Sequence, residues 1–206
     1  VQLLPERLAV TVGTKLQYTA HLGEEDLQLQ PSARLVWTPT VRQTLWGAVS
    51  RAARTPSHME RSALLRQRVI PPMGANPFPT LVTFNGSPRF SAEEVISYEI
   101  GYRVRPHERW SVDLATFYND YDDLRSIEPG TPGFVPGPGP PHTLVPFTVG
   151  NAYSGESYGV ELDTVWQAAE IWRLRATYSF VDIQLHRGTS MDTTSEVDEG
   201  RTPEQQ

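Results

Sequence analysis

Alternation of apolar and polar side chains with a period of two runs through most of this chain. It predicts an all-β fold, an antiparallel up-and-down transmembrane β-barrel segment of about seven strands. Three observations carry that prediction. The alternating runs last roughly ten residues or more, about twice the usual strand length. Their connections alternate between short turns and loops of more than about thirty residues, the asymmetry typical of membrane barrels. The apolar face of each run is aliphatic in the middle and aromatic toward its ends. The opposite face carries charges of both signs, as lipid outside and a hydrated lumen inside demand.

The first strand covers 7–19, with Leu8, Val10, Val12, Leu16 and Tyr18 on one face. The second covers 27–38 and contains Pro31, which predicts a bulge or an unpaired position because proline has no N–H to give a ladder. A tight connection at 38–42 leads to a third strand at 43–51. The segment 52–91 holds Pro56, Pro71, Pro72, Pro77, Pro79 and Pro88 and reads as a long irregular loop. Alternation resumes at 92–104, turns at 105–109 and continues over 110–121. A second long loop, 122–154, is dominated by PGTPGFVPGPGPP. The clearest hairpin follows: 155–167 sets Tyr158, Val160, Leu162 and Trp166 against Glu161 and Asp163, and 172–183 sets Trp172, Leu174, Tyr178 and Phe180 against Arg173 and Arg175. Residues 184–206 stand where a third long loop belongs.

The five tryptophans, Trp37, Trp46, Trp110, Trp166 and Trp172, all lie within four residues of a short turn, whereas Tyr18, Tyr118, Tyr158, Tyr178 and Phe180 lie toward the long-loop ends. Two aromatic bands at opposite strand ends suit the two interfaces of a bilayer, and Trp37, Trp110, Trp166, Trp172, Tyr118, Tyr158 and Tyr178 are the expected interface residues. No apolar run approaches the ~18 residues of a spanning helix. This does not count against a barrel, whose alternation keeps mean hydropathy low.

Composition narrows the chemistry. A net charge of −6 gives no electrostatic reason to expect nucleic acid, and the absence of cysteine removes disulfides, thiol catalysis and thiolate metal sites. The five histidines, at 21, 58, 107, 142 and 186, fall in five different turns or loops without metal-ligand spacing. The acidic run 119–123 (NDYDD) lacks the glycine and terminal glutamate of a calcium loop and reads as a strand end. Ser57–His58 has no nucleophile elbow around it, so no enzyme activity is expected. Asn85-Gly86 reads as a turn. Glu99, Arg103, Asp113, Glu161, Asp163, Arg173 and Arg175 are expected to form a cross-strand-paired, hydrated inner wall.

Four stretches resemble the C-terminal half of TonB-dependent outer-membrane receptors: PSARLVWTPTVRQTLWGAVSRAARTPS (31–57), EVISYEIGYRVRP (94–106), WSVDLATFYNDYDDLRSIEP (110–129) and NAYSGESYGVELDTVWQAAEIWRLRATYSF (151–180). Together they touch most of the expected strands in the family's order. The resemblance implies a 22-stranded barrel in the cell outer membrane of a Gram-negative bacterium, closed by an N-terminal plug and opened through TonB. It further implies energy-coupled uptake of a scarce small molecule such as a ferric siderophore, contact with outer-membrane lipid and lipopolysaccharide, and no cofactor. No plug is legible here and seven is an odd strand count, so residues 1–206 are expected to be a portion of a larger barrel. The loops 52–91, 122–154 and 184–206 are expected to be extracellular and to capture ligand. Arg61, Arg66, Arg68, Phe78, Phe84 and Phe90 are the candidate contacts, because arginine and aromatic residues are enriched at recognition surfaces. Two competing readings remain on the residues alone. One is a porin or adhesin barrel without plug or TonB coupling; the other is a soluble all-β carbohydrate-binding module that uses its tryptophans as sugar platforms.

Overall fold

The computed structural model describes residues 2–21, 24–74 and 76–195, with the side chains of 21 and 24–26 excepted. In chain order its elements are β1 (Gln2–Leu4), β2 (Leu8–His21), β3 (Glu24–Thr40), β4 (Gln43–Arg54), α1 (His58–Ser62), β5 (Leu64–Ile70), β6 (Thr80–Asn85), β7 (Glu93–His107), β8 (Trp110–Pro129), β9 (Gly133–Val135), β10 (His142–Ala169) and β11 (Trp172–His186). They form one 11-stranded sheet. Its seven long strands lie side by side in sequence order, β2-β3-β4-β7-β8-β10-β11, each pair antiparallel. That is the up-and-down order the alternation predicts.

The short connections are tighter than the alternation suggests. Thr40 pairs with Gln43, His107 with Trp110 and Ala169 with Trp172, so two residues close each hairpin. Each hairpin slips register just before its turn, between Trp37 and Thr40, between Val104 and His107, and between Gln167 and Ala169. Such bulges raise the local right-handed twist, which lets a two-residue turn join two long strands. Pro31 lies opposite Thr14 without a bulge, whereas pairing of β3 with β4 reaches only to Ser32. The missing N–H therefore marks the unpaired position of the two expected outcomes.

The two described long connections are not irregular. The segment 52–91 carries α1 and the hairpin β5–β6, and β6 pairs parallel to the first part of β10, with Thr80 opposite Thr143 and Asn85 opposite Thr148. The segment 122–154 is largely strand: β8 runs on to Pro129, β9 pairs with β10, and β10 reaches 28 residues. Proline density hid these strands from sequence reading. The stretches LLRQRVI and TLVTFN are β-prone and pair with each other, but β10, which joins TLVTFN to the sheet, lies sixty residues or more away in sequence. Of the third expected loop, residues up to 186 belong to β11, and 196–206 lie outside the described residues.

Little of the molecule is buried. Among the described residues, the buried hydrophobic side chains are Phe90, Ala92 and Tyr153. All three sit near the long-connection end, where the extra elements gather. The apolar side chains of the long strands stay exposed, Ile100 at 62% and Val12 at 76%.

Candidate functional site

The two faces of the sheet differ in chemistry. Register places Leu8 beside Trp37, Leu45 beside Tyr102, Tyr102 beside Leu114, and Leu114 beside Leu162, so one face is a continuous apolar band. Trp37, Trp110, Trp166 and Trp172 lie on this face next to the short turns. Tyr98 and Tyr118 (rings 6.4 Å apart), Tyr158 and Phe180 (6.5 Å apart) lie further up, with Tyr178 beside Leu162 between the two groups. Trp110 to Tyr118 spans about 27 Å along the strand, or about 20 Å of height at a ~40° tilt, close to the ~25 Å apolar band of a membrane barrel. Charges reappear on this face only above the tyrosines, as Asp120 beside Glu156 and Glu94 beside Asp122. The exception among the tryptophans is Trp46. It pairs with Val36 and Gly101 on the other face, and its indole lies where a Cβ on Gly101 would have to be. The Arg34 guanidinium sits 4.7 Å above its ring centre.

That other face is the charged wall. Arg103 pairs with its cross-strand neighbour Asp113, with Nε 2.6 Å from Oδ2. Arg175 forks onto Asp163 at 2.8 and 3.0 Å. These pairs and Glu161 line an open cavity of about 520 Å³ beside Trp46. The wall thus neutralises much of its charge locally, while Arg103 and Arg175 stay exposed.

Above the wall, the extra elements form a cap held by carboxylates. The stretch Ser57-His58-Met59-Glu60 is a capping box: Glu60 N–H donates to Ser57 Oγ, and the Glu60 carboxylate accepts from the Ser57 N–H at 2.8 Å. The same carboxylate takes both terminal nitrogens of Arg54 (3.0 and 3.1 Å), and Arg125 Nη1 lies 3.5 Å away. Arg54 also pairs with Glu93, which accepts from the Arg125 N–H at 2.7 Å. Burial alone would push the Glu60 carboxyl up, but Arg54 and Ser57 outweigh it and hold it down at about 2. Phe90, 1% exposed, fills the space under Arg54. A second hub is Asp192. Its carboxylate accepts from the N–H of Ile127 (2.9 Å) and of Thr194 (2.8 Å) and from the Ser195 hydroxyl (2.6 Å). Burial again opposes ionisation, and these donors bring the group down to about 2. Met191 N–H and Ser190 Oγ donate to Glu128, which straps 187–195 across the end of β8.

Between α1, β5 and the end of β6 lies a groove of about 610 Å³. Met59, Leu65, Phe84 and Val149 give it an apolar floor, and Ser57, Arg66, Gln67, Asn85 and Arg125 are its polar contributors beside Glu60. Of the six sequence candidates, the structure brings Arg66 and Phe84 together here. Arg68 borders a neighbouring groove of about 360 Å³ with Pro140 and His142. Phe78 packs on Phe134, their ring centres 4.9 Å apart. Arg61 Nε donates to the Phe90 carbonyl at 3.1 Å, and Phe90 is buried, so these two build the cap rather than face its groove. Sequence reading missed Arg125, Asn85 and Glu60. The Ser57-x-x-Glu60 spacing was a usable helix signal; nothing local announces Arg125 or Asn85.

A sheet whose apolar face is covered by no second layer among the described residues, and whose other face is a charge-paired wall, is a portion of a transmembrane β-barrel. The match to known families names it further. A family model described as TonB dependent receptor-like, beta-barrel covers residues 2–205, and the chain belongs to that family of receptors and transporters. No curated protein matches. Among solved structures, a mutant ferric enterobactin receptor, PfeA, from Pseudomonas aeruginosa is 19% identical with a TM-score of 0.66 over 87% of this chain and 25% of its own. The siderophore receptor PirA from Pseudomonas aeruginosa is 19% identical with a TM-score of 0.62, over 88% of this chain and 32% of its own. The FrpB iron transporter from Neisseria meningitidis is 15% identical with a TM-score of 0.58, over 92% and 24%. At such identities the likeness is one of fold, and the chain spans between about a quarter and a third of these proteins' lengths.

Proposed function

We propose that this chain is part of the barrel wall of a Gram-negative outer-membrane receptor that takes up a ferric siderophore or a similar scarce ligand with energy supplied through TonB. The observation that carries this reading is the family match across residues 2–205. In this reading the apolar face meets outer-membrane lipid, with the tryptophans at the periplasmic interface and Tyr118 and Tyr158 at the outer one. The capped end, with the long connections 52–91 and 122–154, faces the outside and meets lipopolysaccharide and ligand. The plug and the segment gripped by TonB belong to the rest of the receptor. The chemistry is binding and gating, and no covalent bond is made or broken.

The test is uptake of radioactive iron by a Gram-negative strain stripped of its own siderophore receptors and supplied with the complete receptor containing this sequence. A panel of ferric siderophores is offered with and without a functional TonB. Accumulation of at least one complex that vanishes without TonB is the expected result. Uptake that persists without TonB would show a passive pore instead.

A further inference from the structure

The hairpin β5–β6 leaves one backbone edge of the sheet open. Strand β6 lies between β10 and β5, so both of its edges are paired. Strand β5 ends the strand order, and among the described residues β6 is the one strand that pairs with it. Every residue of β5 from Leu64 to Val69 is exposed, Leu64 at 69% and Val69 at 63%. Such an edge presents a row of unsatisfied N–H and C=O groups, a template for another extended chain. It also stands clear of the apolar band: Thr148, opposite Asn85 of β6, precedes Tyr158 on β10 by about 30 Å of strand. Two grooves flank this edge. The groove of about 610 Å³ takes in Leu65, Arg66 and Gln67, and the groove of about 360 Å³ runs from Arg66 to Val69. They meet at Arg66 and Gln67, so the open edge leads from one groove into the other. Domains that bind a peptide by strand addition need this pairing of features, since main-chain hydrogen bonds supply affinity and flanking hollows take the side chains.

The charges of β5 select the occupant. Its sequence, LLRQRVI, carries Arg66 and Arg68 and no acid. A second copy paired antiparallel about Gln67 would set Arg66 opposite Arg68 twice over, and like charges directly opposite are destabilising. The register slip between Arg66 and Arg68 further discourages a match with an identical strand. A chain with carboxylates at the facing positions meets no such repulsion. We propose that the open edge of β5 is a docking site for an extended acidic peptide segment of another protein, which joins the sheet as a further strand beside β5. The backbone of the segment would pair with β5, its carboxylates would face Arg66 and Arg68, and its apolar side chains would lie toward Leu65 and Val69. That the segment arrives from outside the cell rests on the receptor reading above; the open edge does not.

The experiment uses the complete receptor in lipid nanodiscs and the synthetic peptide Ac-TEVEVEV-NH2 as probe, read by calorimetric titration and backbone amide exchange. In the receptor alone, the amides of 64–70 that face away from β6 should exchange fast. Saturating peptide should slow them by about tenfold or more, with the wall strands unchanged. The same peptide is then N-methylated on every second residue, in both phases, which keeps every carboxylate. The phase that blocks the donors facing β5 should bind about tenfold or more weakly, and the other phase should bind as before. The basic counterpart Ac-TKVKVKV-NH2 should show no saturable binding. Slow exchange of those amides in the receptor alone would mean that the edge is already paired and overturns the proposal, as does the absence of saturable binding of the acidic peptide. Equal affinity of the two N-methylated phases reduces the contact to charge attraction and overturns strand addition. Equal binding of the basic peptide overturns the acidic assignment. Iron uptake, measured separately, keeps the two readings apart. Uptake without peptide binding would leave the receptor standing and remove the docking edge, and peptide binding without uptake would do the reverse.

Discussion

The seven-strand wall and the cap at its rim solve the burial problem in opposite ways. The wall buries almost nothing. Its side chains Ile100, Leu114 and Leu162 stay exposed on one face, while Arg103–Asp113 and Arg175–Asp163 pair on the other. Between its two edge strands, β2 and β11, its backbone groups are satisfied strand to strand, the condition for any chain inside a bilayer. The cap behaves like a small water-soluble domain: it encloses Phe90 and Tyr153 and neutralises Glu60 and Asp192 with several donors each. The difference teaches that one sheet can leave its apolar face uncovered along one part and bury it along another, with β8 and β10 passing from one regime to the other.

Six substitutions and one titration probe that contrast. The largest effect is expected for Phe90→Ala, since emptying a buried aromatic site costs about 3–5 kcal/mol. The cap should become protease-sensitive between 58 and 91, whereas the β signal of the wall stays; loss of the whole sheet would mean that the two regions are one cooperative unit. Ile100→Arg, on the lipid face of β7, should destabilise the receptor by about 2–4 kcal/mol in denaturant titrations in liposomes. Ser179→Arg on the inner face should stay within about 0.5 kcal/mol. Equal costs would show that the face assignment is wrong. Gly101→Ala displaces the Trp46 indole and should cost about 1–3 kcal/mol, with a shift in tryptophan emission. A second change, Trp46→Ala, should remove most of that penalty, because the two residues share one space.

Glu60→Gln is the mildest, about 1 kcal/mol for a weakened helix cap, visible as faster amide exchange in 57–63. The matching pH dependence follows from two depressed carboxyls. The folded-state values of Glu60 and Asp192 lie at about 2, below the ordinary carboxylate range near ~4. Their contribution is therefore fully present above about pH 4 and is lost as pH falls from about 4 toward 2. Exchange in 57–63 should rise across that window in wild type and rise less in Glu60→Gln. A flat profile would show that the hub does not hold the cap.

Much of the wall was legible because its signal is local. Leu162, Trp166, Leu174 and Tyr178 share a face by parity alone, and parity needs no knowledge of the rest of the chain. The cap was not legible for the complementary reason. Its strands β5 and β6 are short and proline-flanked, and β6 becomes a strand by pairing with Thr143–Thr148, beyond two intervening long strands. The rim groove is harder still. It joins Arg66, Asn85 and Arg125, residues brought together from three segments by that pairing. Arg61 and Phe90 show the same limit in reverse: their residue types suggested ligand contacts, and only the structure shows that Arg61 donates to the Phe90 carbonyl and that Phe90 is buried.

By itself, the sequence determined the fold class, which side chains of each long strand share a face, the order of the strands and the family pattern they spell. Each of these depends on a period of two and on connection lengths, which the chain carries residue by residue. Tertiary structure alone decided which charges are spent on the wall and the cap and which remain free. It also decided that Trp46 lies inward over Gly101 and that a proline-rich connection folds into a cap with a groove. Pairing across distant segments cannot be read from either segment alone, because each strand's partner, and therefore each side chain's solvent, is set by the other.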